Sequence, residues 1–167
     1  HESEHLNLYV YPEAADYRRS HPPAPTWHRL GSSVRQTEDP WAVPETLGDE
    51  GALVYVSLGS LGSADVELME RLVAVLAETP HRYVVSMGPR ADEFELADNM
   101  WGEARIPQTN VIPQCDLVIT HGGNNTTTEA LHFGKPMIVL PLFWDQYDNA
   151  QRVHETGFGI RLRTYEF

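Results

Sequence analysis

The sequence contains little cysteine and little lysine, and it has no long apolar run. Cys115 is the single cysteine among 167 residues, which excludes a framework of internal disulfide bonds. Lys135 is the single lysine, and the formal net charge of −12 argues against binding to nucleic acid or to the surface of an anionic membrane. No apolar run has the length of a bilayer span and no signal peptide opens the chain, so we expect a reducing, cytoplasmic compartment and no membrane span.

The hydropathy pattern divides the chain into two regions. Six of the 12 prolines lie before residue 45, so we expect residues 1–50 to form an interdomain linker or extended arm, with one short strand over 6–11. Beyond residue 51, apolar runs alternate with helical patterns. Strands are predicted over 52–57, 82–87, 116–120, 136–140 and 158–162, and helices over 65–79, 126–133 and 146–156, whereas 88–104 is polar and irregular. This alternation predicts a Rossmann-like α/β domain over 51–167, with a doubly wound parallel sheet.

Three loops of this predicted sheet follow strands, and ligands of such sheets bind at the carboxyl ends of the strands. The first loop contains Ser60 and has the sequence SLGSLGS. Its two glycines allow a backbone approach to phosphate, but the third glycine of the dinucleotide fingerprint is missing, which disfavours a NAD-dependent dehydrogenase. A plain turn in which Ser63 caps the next helix explains this loop equally well.

The second loop has the sequence THGGNNTTTE, beginning at Thr120. Gly122 and Gly123 leave backbone N–H groups uncovered just before a predicted helix, whose N-terminus carries roughly half a positive charge. Asn125 and Thr126 add side-chain donors, and His121 ends the strand. The pattern predicts an anion site with almost no formal charge; the alternative is that the Asn and Thr side chains only cap the helix.

The third loop, with the sequence FWDQ, contains Asp145 and Gln146. An ionised acceptor beside a group that both donates and accepts suits the hydroxyls of a sugar. The alternative is that Asp145 caps the helix that follows.

Residues 104–157 resemble the nucleotide-sugar signature of family 1 glycosyltransferases of the GT-B fold, which include glucuronosyl and macrolide glycosyltransferases. The matching motifs are HGG, EAL, GKPM, DQ and NA, and the arm at 6–45 is similar to the interdomain connection of actinobacterial members. The resemblance implies the carboxy-terminal, donor-binding half of a GT-B enzyme. The whole enzyme would move a hexose from a UDP- or dTDP-sugar to an acceptor hydroxyl with inversion.

The resemblance also assigns roles to individual positions. Ile106 and Gln108 correspond to the wall around the nucleobase, contacted largely through the backbone, and Ser60 borders the nucleotide. The diphosphate contacts correspond to His121, Gly122, Gly123, Asn125 and Thr126. Glu129 corresponds to the acid that binds the ribose hydroxyls, and Asp145 with Gln146 to the pair that holds the transferred sugar.

Two departures from the family pattern matter. Many members stack a tryptophan on uracil where this chain has Arg105, which leaves uridine and thymidine donors both open. The amino-terminal acceptor domain, which carries the catalytic base in the family, is not in this sequence, and the carboxy-terminal helices are expected to be cut short. We therefore assign no catalytic residue and expect this chain to be inactive without the acceptor domain, supplied by the same protein or by a partner subunit.

No Asp-x-Asp motif occurs, so no metal and no cofactor beyond the donor substrate is expected. Two other interpretations of the motifs stay open. One is a stand-alone nucleotide-sugar-binding subunit, and the other is a GT-B epimerase.

Overall fold

The computed structural model describes residues 2–35 and 39–167. Its main sheet has six parallel strands. In chain order they are β3 (Leu53–Ser57), β4 (Arg82–Ser86), β5 (Met100–Glu103), β6 (Leu117–Thr120), β7 (Met137–Val139) and β8 (Gly159–Arg161). Across the sheet their order is β5-β4-β3-β6-β7-β8. The predicted doubly wound α/β sheet is thereby confirmed.

Two hydrophobic layers cover the faces of this sheet. Helix α2 (Val66–Ala77) lies on one face, where its Leu68 and Leu72 pack with alternate residues of β3 such as Val54. On the other face, Tyr55 and Val118 pack with buried residues of α3 (Gln108–Val111), α4 (Asn124–His132) and α5 (Gln146–Glu155). Burial on both faces is why these strands are almost entirely apolar.

The arm packs against its own domain. It contains a small parallel ribbon of β1 (Asn7–Tyr9) and β2 (Trp27–Arg29). Its backbone is held on α5, because the Arg152 guanidinium donates to the carbonyl of Ala15 at 2.7 Å. Farther along, Trp41 contacts Trp101 of β5, with ring centroids 5.9 Å apart.

The structure differs from the sequence prediction around two loops. Strand β5 lies inside the stretch predicted to be irregular. The sequence does not predict this strand, because MWGE lacks β-branched residues and includes a glycine. Gly102 fits there because a Cβ would lie 2.4 Å from the carbonyl oxygen of Val85. Ser63 does not cap a helix N-terminus; it ends the short helix α1 (Gly59–Gly62), and Asp65 caps α2 by accepting from the Leu68 amide at 3.1 Å.

Strand order places the candidate site. The order of connection reverses between β3 and β6, so the loops after Ser57 and Thr120 diverge at that point and leave a crevice. The loops after β5 and β7 open at the same edge, because all six strands are parallel. Among the described residues, no helix is both long enough and apolar enough to span a bilayer.

Candidate functional site

The loop predicted to bind an anion, residues 120–129, is called the anion loop. The ring of its His121 lies between two glycines. A Cβ on Gly59 would lie 2.7 Å from His121 Nε2, and a Cβ on Gly123 would lie 2.4 Å from the same atom. The imidazole Nδ1 lies 3.4 Å from the Thr120 hydroxyl. Because Gly59 and Gly123 have no side chains, two backbone segments can pack against the same imidazole ring. This contact explains why both positions are occupied by glycine.

Helix α4 begins with backbone amides that no N-cap side chain covers. Its N-cap is Gly123, and the first helical bond runs from the Thr127 amide to the Gly123 carbonyl at 3.0 Å. The amides of Asn124, Asn125 and Thr126 precede that bond, so they have no partner within the helix. They border a cleft of about 430 Å³ together with His121, Ser60 and Gln108.

Gly122 has a structural role behind this cleft. Its φ of 88° is left-handed, and a Cβ there would lie 2.8 Å from Val139 Cγ1. Its carbonyl accepts from Asn149 Nδ2 at 2.8 Å, and the same nitrogen donates to Asn124 Oδ1 at 3.0 Å. Asn149 on α5 therefore fixes the start of α4, a role that the sequence analysis missed because an asparagine in a helix has no distinctive spacing.

The loop that contains Asp145 and Gln146, which is predicted to hold the sugar, lies directly beside the anion loop. Asn124 Nδ2 donates to Asp145 Oδ2 at 2.9 Å, and Asp145 makes no side-chain cap bond to α5. Capping is therefore not what its carboxylate does. Gln146 is buried, and its Oε1 accepts from the amides of Leu142 at 2.9 Å and Phe143 at 3.1 Å, so this side chain also shapes the loop.

A second, larger cleft of about 940 Å³ continues from the first. Ser60 and Gln108 border both clefts. Arg105 and Ile106 line the larger one, and Trp41 of the arm and Tyr55 of β3 add aromatic walls that the sequence analysis did not single out. This arrangement provides room for a ring system next to an anion site.

Glu129 lies on α4 one turn after Asn125. The carboxylate is buried and accepts from Gln108 Nε2. With Asn125 and Arg35 it lines a recess of about 180 Å³, and Arg35 also borders the larger cleft. The structure thus brings together all twelve residues singled out in the sequence, around one edge of the sheet.

Burial holds the pKa of His121 below its usual value, against the Ser57 carbonyl and the negative charge of Asp145, which both raise it. Between that lowered pKa and about 6.5, the unfolded chain binds more protons than the folded one, so the free energy of unfolding falls as the pH drops through this range.

We expect His121→Gln to remove this part of the pH dependence of the free energy of unfolding. Urea unfolding of both proteins at pH 7.5 and 5.5 measures it, and equal pH dependence would contradict the account.

No group of three or more His, Cys, Asp or Glu side chains within 2–35 and 39–167 is arranged to hold a metal ion.

Residues 67–167 match the family described as Erythromycin biosynthesis protein CIII-like, C-terminal domain. The chain is 32% identical over 117 residues to NDP-glycosyltransferase YjiC of Bacillus subtilis, covering 68% of this chain and 30% of that protein. It is 34% identical over 122 residues to UDP-glucuronosyltransferase 3A1 of Bos taurus, covering 70% of this chain and 23% of that protein. The chain thus spans less than a third of these curated relatives.

Solved structures give the same result. The glycotransferase of kitacinnamycin superposes with a TM-score of 0.82 at 27% identity, over 97% of this chain and 43% of that one. The spinosyn rhamnosyltransferase SpnG complexed with thymidine diphosphate superposes with a TM-score of 0.72 at 26% identity, over 96% and 44%. The predicted resemblance to GT-B glycosyltransferases is confirmed, and the chain belongs to the EryCIII-like C-terminal domain family of glycosyltransferases.

Proposed function

We propose that this chain binds a UDP- or dTDP-linked hexose at the carboxyl edge of its sheet and acts as the donor-binding half of a glycosyltransferase. The observation that carries the proposal is the uncovered N-terminus of α4 at the point where strand order reverses. It lies between a cleft large enough for a nucleoside and the loop that holds Asp145.

The diphosphate occupies the start of α4 in this proposal. Successive amides and the positive end of the helix dipole attract an anion without a charged side chain. His121 stands beside them and supplies a ring nitrogen. During transfer these groups stabilise the negative charge that grows on the departing diphosphate, so the site needs no metal.

The nucleobase and ribose extend into the larger cleft. Ile106 and Gln108 form the wall beside the base, and Arg105 offers a guanidinium plane for stacking. Glu129 accepts from the ribose hydroxyls. Relatives are named for UDP donors and SpnG is complexed with thymidine diphosphate, which supports both nucleotides as candidates.

The transferred hexose contacts the loop after β7. Asp145 is exposed and accepts from sugar hydroxyls, while Gln146 has only its Nε2 group to offer because its Oε1 is bound to backbone amides. An amino-terminal domain in the same protein, or a partner subunit, supplies the acceptor and the base, and the transfer inverts the anomeric centre. A cytoplasmic location completes the proposal, supported by the single, buried thiol of Cys115.

Calorimetric titration with UDP, dTDP and their glucose derivatives in EDTA tests this function. We expect the wild-type chain to bind the bare nucleotide without metal and the matching nucleotide sugar more tightly. Asp145→Asn keeps the contact with Asn124, so affinity for the bare nucleotide should change less than about twofold while most of the gain from the sugar is lost. Absolute dependence on magnesium, or equal losses for both ligands, would contradict the assignment.

A further inference from the structure

The Gln108 side chain is held by hydrogen bonds to three side chains on two other elements, strand β3 and helix α4. Its Oε1 accepts from the Tyr55 hydroxyl at 2.9 Å and from the Thr126 hydroxyl at 3.3 Å. Its Nε2 donates to Glu129 Oε2. One carboxamide thus joins strand β3, the first residue of α3 and the first two turns of α4.

Chemistry fixes which end of this carboxamide faces which partner. An amide nitrogen can only donate and an amide oxygen can only accept, so the Gln108 nitrogen faces Glu129 Oε2 and its oxygen faces the two hydroxyls. Tyr55, Thr126 and Glu129 are each less than a tenth exposed. Hydrogen bonds in such surroundings are strong and mutually reinforcing, so the network holds the carboxylate in one orientation.

The position of Glu129 gives this network a consequence for the ligand. Glu129 lies four residues after Asn125 on α4, a distance of about 6 Å along the helix axis. The amide of Asn125 is one of those that border the cleft of about 430 Å³. In the proposed function, the ribose follows the diphosphate at that distance. The orientation of the Glu129 carboxylate therefore decides whether it meets the ribose hydroxyls.

We propose that Tyr55 and Gln108 are positioning residues, which hold the Glu129 carboxylate in the orientation that receives the ribose hydroxyls of the donor nucleotide. This inference rests on the proposed function and extends it. Neither the Tyr55 hydroxyl nor the Gln108 carboxamide needs to touch the nucleotide for this role. Their effect passes through Glu129.

The first test compares two buried tyrosines. Tyr55→Phe removes one donor to Gln108, whereas Tyr83→Phe removes a hydroxyl that contacts Thr79 at 2.6 Å on the opposite face of the sheet. Both changes delete the same atom from a side chain that is almost wholly buried. We expect Tyr55→Phe to weaken nucleotide binding about threefold or more and Tyr83→Phe to leave it unchanged, as measured by calorimetry. Equal affinities for the two variants would count against the positioning role.

The second test reads the ribose contact itself. The wild-type chain is titrated with UDP or dTDP, whichever binds more tightly, and with the 2′,3′-dideoxy form of the same nucleotide. We expect the natural nucleotide to bind at least about tenfold more tightly, because a hydroxyl bond to a carboxylate is lost in the analogue. Gln108→Leu, which keeps the volume but no hydrogen bonds, should bring this ratio close to one.

The outcomes distinguish a failure of the proposed function from a failure of the positioning role. If the wild-type chain binds no nucleotide, the proposed function fails. If it binds but does not distinguish the dideoxy form, Glu129 does not hold the ribose and this inference is overturned. If Gln108→Leu weakens both ligands equally and leaves their ratio unchanged, Gln108 is only structural and the inference is likewise overturned.

Discussion

Gly123→Ala should lower the affinity for the nucleoside diphosphate about 30- to 100-fold, or roughly 2–3 kcal/mol. The backbone of Gly123 has φ of −63° and ψ of 147°, which alanine adopts without strain. The added methyl, however, would lie 2.4 Å from His121 Nε2 and 2.7 Å from Cε1. The imidazole must then leave its place against Ser57, and the start of α4 must move with it. Calorimetry with the bare nucleotide measures the loss.

Gly134→Ala is the matched control, at the other end of the same helix. Its φ is 65°, and nothing lies within 4 Å of the position that a Cβ would take. This change should cost about 1 kcal/mol of folding stability from backbone strain and leave nucleotide affinity as it was. Wild-type affinity in Gly123→Ala would show that the anion cleft is not where the diphosphate binds.

Gln146→Ala should lower the free energy of unfolding by about 2–3 kcal/mol, independently of any ligand. Its Oε1 accepts from two backbone amides, those of Leu142 and Phe143, and the side chain is 4% exposed. Truncation leaves both amides without their acceptor in a partly buried loop. Urea unfolding measures the change.

Gln151→Ala on the exposed side of the same helix is the control for Gln146→Ala. Its carboxamide bonds to the exposed side chains of Glu155 and Arg161, so we expect a change of about 0.5 kcal/mol or less. If the two variants were equally stable, the hydrogen bonds of Gln146 would not support the loop.

The strands and the anion loop could be predicted from sequence because each carries its own local signal. Parallel strands buried on both faces appear as unbroken apolar runs, as in residues 53–57 and 117–120. The pair Gly122-Gly123 before a helix predicts an anion site for a similarly local reason, since residues without side chains leave the backbone amides accessible. Family resemblance added the predicted ribose contact of Glu129, which a carboxylate within a helix does not disclose.

The other features of the fold and the site could not be predicted from the sequence, because they depend on contacts between residues that are far apart along the chain. Strand β5 lacks a β-branched pattern, and its place at the sheet edge comes from pairing with β4. Tyr55 looks like any core residue of a buried strand, and only the fold brings its hydroxyl to Gln108, 53 residues away. The internal bonds of Gln146 were hidden for the same reason, because no pattern shows that its Oε1 meets the backbone of its own loop.

Backbone amide NMR of the 167-residue chain, titrated with UDP or dTDP in EDTA, tests the central claim most directly. If the diphosphate binds at the start of α4, the largest shift changes fall on Gly123, Asn124, Asn125 and Thr126, and their size follows the calorimetric saturation. The apolar pocket at the opposite edge, of about 340 Å³ between Ala15, Leu131 and Phe158, should show none. Shift changes concentrated in that pocket, or absent from residues 123–126 at saturating nucleotide, would contradict the account.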